Sequence, residues 1–160
     1  KEVLYSGVSG EKIEAIGRGD KTDAYQLATS VVFVSGLLIF ADLHKDYLAH
    51  PSKEFLKRIP AAWDETKLID GYPGSHTVIA RRKGSDWYVG GLSTQGRKVE
   101  IPFEFLENGQ TYIATIYRDK MAGLEMAIET KEISDADTIE WETADRGGFV
   151  VHLTPDIHEK

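Results

Sequence analysis

From Trp63 onward, hydrophobic and polar residues alternate in short runs, and small clusters of turn-forming residues separate the runs. The alternation is clearest where Tyr112, Ala114 and Ile116 interleave with Ile113, Thr115 and Tyr117. It is equally plain where Val99, Ile101 and Phe103 stand between polar neighbours. A period of two sends successive side chains to opposite faces of a strand. The pattern predicts strands over residues 64–70, 76–83, 86–93, 97–102, 110–118, 124–132, 136–143 and 148–154. Between them stand Tyr72-Pro73-Gly74, Lys83-Gly84-Ser85-Asp86, Thr94-Gln95-Gly96, Glu107-Asn108-Gly109 and Asp145-Arg146-Gly147-Gly148. Short strands at this spacing, with a turn signal between neighbours, predict an antiparallel sandwich or barrel.

Upstream of Trp63 the period changes. Leu27, Val31, Val34, Leu38 and Ala41 share one helical face, with Thr22 or Asp23 as the cap and Asp42, His44 and Lys45 near the end. Val32, Phe33, Leu37, Ile39 and Phe40 cover the other faces, so the reading is a long helix apolar all round, which belongs between two partners. Its β-branched residues leave a buried strand as the rival reading. Residues 51–59 predict a short helix, with Pro51 in its first turn and Pro60 as its stop. The fold class expected is mainly β: an antiparallel sandwich of about eight strands, preceded by one long apolar helix and one short helix. Three regions follow: 1–21 as loop or frayed segment, 22–59 as a helical segment, and 60–160 as the sandwich.

Charge and composition narrow the function classes. Asp and Glu outnumber Lys and Arg by 26 to 19, and the net charge of -7 argues against a protein built to hold phosphate backbones. The runs Arg81-Arg82-Lys83 and Arg97-Lys98 read as solvated strand ends. With no cysteine, disulfides, thiolate metal sites and a cysteine nucleophile are all excluded. The longest apolar run, 31–41, is shorter than the ~20 residues a membrane helix needs and carries Ser35 and Gly36, so no membrane partner is expected.

Candidate chemistry is sparse. His44, His50, His76, His152 and His158 show no helical pair spacing and no His-Glu-x-x-His motif, so no metal site is expected. Ser9 lies in Ser6-Gly7-Val8-Ser9-Gly10, which lacks the second glycine of a nucleophile elbow, and Arg18-Gly19-Asp20 reads as a chance tripeptide. Asp135 and Asp137 resemble the start of a calcium loop without its glycine or its closing glutamate. Asp64, Glu65, Glu104, Glu107, Asp119, Glu125 and Glu129 fall on strands or turns, and no neighbouring motif picks out a catalytic pair. Trp63, Trp87, Tyr88 and Trp141 are candidates for stacking on sugar rings, although aromatic residues in strands commonly fill a core.

One stretch carries a resemblance. Pro60-Ala61-Ala62-Trp63-Asp64-Glu65-Thr66 leads through Gly71, Pro73 and Gly74 into Val78-Ile79-Ala80-Arg81-Arg82, Gly84, Trp87-Tyr88 and Gly90-Gly91. The pattern continues with Phe105-Leu106, Gly109, Tyr112 to Tyr117 and Asp119, and ends at Gly147-Gly148-Phe149-Val150-Val151. It resembles the C-terminal part of glycoside hydrolase family 97, which includes α-glucosidases and α-galactosidases. Gln26-Leu27-Ala28, the apolar run to Ala41-Asp42, and Tyr47-Leu48 resemble the last helix of that family's catalytic barrel. Two departures stand out: Tyr25 occupies a position where the family pattern has His, and Val34-Ser35-Gly36 replaces a Glu-Ser-Pro-like stretch.

The resemblance implies an N-terminal sandwich, a central (β/α)8 barrel with its active site at the strand ends, and a C-terminal sandwich concerned with assembly. Catalytic acids and calcium ligands would lie on the barrel upstream, so no catalytic, cofactor-binding or metal residue is expected in this chain. The expected function is a non-catalytic accessory or oligomerisation domain of an α-glucosidase or α-galactosidase, with a carbohydrate-binding module as the alternative. Expected partners are the parent's barrel, its oligo- or polysaccharide substrate, and a second copy paired through the apolar helix. The resemblance also implies an extracytoplasmic, periplasmic location.

Overall fold

The computed structural model describes residues 21–35, 37, 44–120 and 126–156. Three helices, α1 (Asp23–Val32), α2 (His44–Ala49) and α3 (Lys53–Arg58), precede eight strands. The strands are β1 (Glu65–Tyr72), β2 (His76–Lys83), β3 (Asp86–Ser93), β4 (Arg97–Pro102), β5 (Tyr112–Asp119), β6 (Met126–Ile133), β7 (Thr138–Thr143) and β8 (Gly148–Pro155). Six form one sheet in the order β1-β2-β3-β8-β5-β6, and β4 pairs with β7 in a second. Every pairing is antiparallel. The mainly β, antiparallel class and all eight strands are as the alternation predicts.

The two sheets bury the core that the period of two marks out. Val78, Ala80, Trp87, Val89, Ala114, Ile116, Phe149, Val151 and Leu153 from the large sheet meet Val99, Ile101 and Phe103. The opposite face of the large sheet is also apolar and is covered by helices. There Leu27, Ala28 and Val31 of α1 and Phe55 of α3 pack on Tyr88, Tyr117 and Val150. Trp87 and Tyr88, neighbours on β3, therefore enter different cores, at 4% and 3% exposure.

The long apolar helix expected from the sequence is not what forms. The first helix stops at Val32, and Phe33 has extended backbone with φ -76 and ψ 135. Two causes act together. Val31, Val32 and Val34 are β-branched and weaken helix continuation. In addition, Arg81 Nη2 donates to the Val32 carbonyl at 3.3 Å, competing for an acceptor that the next turn would use. Nor is α1 apolar all round: Ala24, Leu27, Ala28 and Val31 are buried, while Gln26 is exposed. Residues 36 and 38–41 of the apolar run lie outside the described residues, as do residues 42–43 and residues 1–20 of the loop expected over 1–21. The short α2 was not anticipated, whereas α3 matches the helix read from Pro51 to Pro60.

α1 lies directly on the sheet because glycine lets it. A Cβ on Gly90 would come within 2.8 Å of the Val31 Cβ, and one on Gly148 within 2.8 Å of the Tyr25 Cα. Both are close approaches to groups fixed near the helix axis, so neither neighbour can swing away. Replacing Gly90 by Ala should push α1 off its seat and destabilise the chain by roughly 1–3 kcal/mol, the usual cost of overpacking. Urea unfolding checks this; an unchanged midpoint would mean that α1 is not seated there.

Candidate functional site: the helix-bearing face of the large sheet

Two buried charges define this face. Arg81 and Asp119 are the buried ionisable side chains of Asp, Glu, Lys or Arg type among the described residues, at 2% and 1% exposure. They lie under opposite ends of α1.

At the N-terminal end, Thr22 caps the helix by accepting from the Tyr25 N–H at 3.0 Å. The same hydroxyl hydrogen-bonds to the Asp119 carboxylate. Asp119 Oδ2 also accepts from the Ala144 and Gly148 N–H groups, each at 3.0 Å. Its Oδ1 is buried without a hydrogen bond. Burial raises the Asp119 pKa above the usual carboxylate value, and the three donors oppose that shift without cancelling it. At the C-terminal end, Arg81 Nη2 bonds the Val32 carbonyl, and the guanidinium lies 5.6 Å from the centre of the Trp63 ring. Arg81 Nε is buried with no partner, and burial lowers the pKa of the group. Negative charge at a helix N-terminus and positive charge at its C-terminus both favour the helix dipole.

Below α3 the face is an aromatic box. Phe55, 1% exposed, sits 5.5 Å from Tyr117 and 6.1 Å from Tyr88. Tyr88 stacks on His152 at 4.4 Å and meets Trp63 edge-on at 5.2 Å. The Tyr88 hydroxyl donates to the Arg58 carbonyl at 3.4 Å, and burial pushes its pKa up to about 12. His152 Nε2 lies 3.0 Å from Asp86 Oδ2. Burial lowers the His152 pKa, and the pull of Asp86 in the other direction is too weak to reverse it. With Phe55 filling it, the box is a packing site.

The remaining candidates are dispersed. Ser75 Oγ, His76 and Asp70 form a line with spacings of 3.1 and 3.0 Å, the connectivity of a nucleophile, a base and an orienting acid. Arg97 Nη1, however, donates to the same His76 Nδ1 that Ser75 approaches, so that lone pair is not free to take the serine proton. The cluster ties β1, β2 and β4 together instead. Asp64 is held by Lys83 at 2.8 Å and Glu65 by Arg82 at 3.1 Å, and these hydrogen bonds keep both carboxylates below their usual pKa. Glu129 pairs with Arg118 at 2.9 Å.

Asp137 accepts from the Ser134 N–H and hydroxyl, both at 2.7 Å, and Asp135 from the Gly109 N–H at 3.2 Å. These are turn contacts. His50 Nδ1 faces Ser52 Oγ at 2.6 Å. Among the described residues no group of three His, Cys, Asp or Glu side chains converges as a metal site would require. Ser9, the Arg18-Gly19-Asp20 tripeptide, Glu125 and His158 lie outside the described residues, as does the His44 side chain.

Two readings of the sequence need correction. Arg81 is not a solvated strand end; α1 and Trp63 cover it, and only Arg82 and Lys83 of that run reach solvent. Trp87, Tyr88 and Trp141 do not form a stacking platform. The first two are buried, and Trp141 packs edge-on to Phe149 at 4.7 Å. Sequence reasoning also missed the role of Asp119, which looked like any strand-end acid.

A six-on-two antiparallel sandwich carries the preceding helix α1 on the outer face of its larger sheet. The chain belongs to the family described as glycosyl-hydrolase 97 C-terminal, oligomerisation, whose model matches residues 62–154, more than half of its length. It is 35% identical over 138 residues to a retaining alpha-galactosidase of Bacteroides thetaiotaomicron, covering 82% of this chain and 21% of the relative. A glycoside hydrolase family 97 enzyme from Pseudoalteromonas sp. strain K8, solved with acarbose, superposes with a TM-score of 0.81 at 34% identity, over 87% of this chain and 23% of that one. A beta-arabinopyranosidase superposes with a TM-score of 0.70 at 29% identity, over 82% and 21%. The chain thus spans about a fifth of the length of the relatives it matches.

Asp119→Ala should strand the Ala144 and Gly148 amides and the Thr22 hydroxyl, at roughly 1–3 kcal/mol for each buried donor left without an acceptor. Asp119→Asn keeps an acceptor in place and should cost less. Chemical denaturation of both variants tests this ordering; equal stability of the two would remove the capping role.

Proposed function

We propose that this chain is the non-catalytic, assembly-forming C-terminal part of a longer α-glycosidase, and that the parent is an α-galactosidase. The observation that carries the reading is the family match over residues 62–154, a family described by its oligomerisation. The retaining alpha-galactosidase relative supports the choice of sugar. The dispersal of the described carboxylates into ion pairs and turns supports placing the chemistry elsewhere.

The rest of the reading follows from the resemblance. Residues 22–59 are the end of the parent's barrel and 60–160 its C-terminal sandwich. A calcium ion belongs to the barrel's active site, and the parent works outside the cytoplasm, in the periplasm. The carbohydrate-module reading is not carried forward, because Trp87 and Tyr88 are buried and Trp141 packs edge-on to Phe149.

Nitrophenyl α-galactoside, α-glucoside and β-arabinopyranoside offered to the full-length parent test the sugar. The galactoside should be cleaved fastest and chelation should abolish cleavage, whereas the 160-residue chain should stay at background. Turnover by the isolated chain would overturn its accessory role. Light scattering of the same chain over a range of concentrations tests assembly: self-association is expected, and a strict monomer would remove the oligomerisation role from this chain.

A further inference from the structure

The large sheet ends in two unlike edges. β1, at one end, shifts register between Leu68 and Asp70, and Gly71 and Pro73 follow. A bulge of this kind bends an edge strand and spoils it for further pairing. β6, at the other end, runs in unbroken register along β5, from Tyr112 against Ile133 to Asp119 against Met126, and contains neither glycine nor proline. Among the described residues β5 is its one strand partner. Its outer row of backbone N–H and C=O groups is therefore an unbroken template for another strand. Ile128, Thr130, Lys131 and Glu132 stand exposed along it.

Charges on an edge strand commonly keep other strands away. Here their order permits one pairing. Ile133 belongs to the core between the sheets, so Lys131, Glu129 and Ala127 lie on that face, and Glu132, Thr130 and Ile128 on the helix-bearing one. A second copy that adds its own β6 about a two-fold axis must keep each face with its like, which sets the axis at a residue and not between two. An axis at Glu129, Lys131 or Glu132 puts a charge against itself, which is unfavourable. Axes at Ile128 or nearer either end of the strand shorten the overlap to Met126–Thr130 or less. An axis at Thr130 overlaps Ala127–Ile133, sets Thr130 against Thr130 and Ile128 against Glu132, and brings Glu129 against Lys131 of the other copy twice over. The side chains suit that pairing. Arg118 holds Glu129 at 2.9 Å, while Lys131, half exposed, reaches Glu129 of its own strand only at 3.9 Å.

We infer that two copies of this chain join β6 to β6 as antiparallel neighbours centred on Thr130, so that one sheet continues across a two-fold axis. This rests on the proposed assembly role and supplies its surface. The occupant is a second copy because the edge complements itself in this register, and because the family is described by its oligomerisation. Main-chain hydrogen bonds along the added strand supply affinity, and the charges supply register.

The chain has no cysteine, so cysteines introduced one at a time report the register. Thr130→Cys sets the two thiols opposite each other, where antiparallel Cα atoms stand about 4.5–5.5 Å apart, within disulfide reach. Ile128→Cys and Glu132→Cys each leave the two thiols four residues apart along the strands, about 13 Å. Mild oxidation should turn the Thr130→Cys chain into a covalent dimer on a non-reducing gel and leave the other two as monomers. Linking of either control as fast as Thr130→Cys, or no linking at all, would overturn the inference. Lys131→Glu turns both opposite-charge pairs into like-charge ones and should weaken association roughly tenfold in sedimentation equilibrium; an unchanged constant refutes the pairing. Association that persists without the Thr130 cross-link defeats this surface and leaves the assembly role standing, whereas a chain that never associates removes both.

Discussion

The fixed seat of α1 on the large sheet is the constraint on which the rest of the structure depends. The helix rests where Gly90 and Gly148 leave no side chain in the way. It is held at one end by Asp119 through Thr22 and at the other by Arg81 through the Val32 carbonyl. A ten-residue helix is too short to be stable alone in water. Its order must come from this packing and from the two charges matched to its dipole. The sheet gains in return, because without α1 the ring of Tyr88, the guanidinium of Arg81 and the carboxylate of Asp119 would lose their cover.

That dependence gives the domain its two-sided character. One side of the large sheet closes on β4 and β7 over a core of aliphatic and aromatic side chains. The other closes on α1 and α3 over a second core that mixes rings with buried polar groups. The family match covers residues 62–154, yet α1 and α3 fall before it and complete the second core. The helices are thus as much a part of the fold as the strands.

Much of the strand plan was legible in the sequence. β2, β3 and β4 begin and end where the turn residues and the alternation place them. The division into six and two strands was not legible, since alternation reports the face a residue takes and not the strand it pairs with. The extent of α1 was misread because residues 31–41 are apolar apart from Ser35 and Gly36, and one of the two causes that end the helix is a guanidinium from β2, distant in sequence. Arg81 was misread for the same reason. Three basic residues in a row look solvated until a helix from elsewhere lands on one of them. The cap, by contrast, was narrowed by local chemistry to Thr22 or Asp23, and the structure gives Thr22. The candidate site was not legible: Asp119 stood out only as one residue of the family pattern, and its bonds to Thr22, Ala144 and Gly148 join residues distant in sequence.

Amide hydrogen exchange of the 160-residue chain tests the seat of α1 most directly. If α1 is integral to the sandwich, the amides of residues 27–32 should exchange as slowly as those of β3 and β8, opening only with the whole fold. Exchange of those amides at the rate of a fraying terminus, with β3 and β8 still protected, would contradict the account and leave α1 a passenger on a sheet that folds without it.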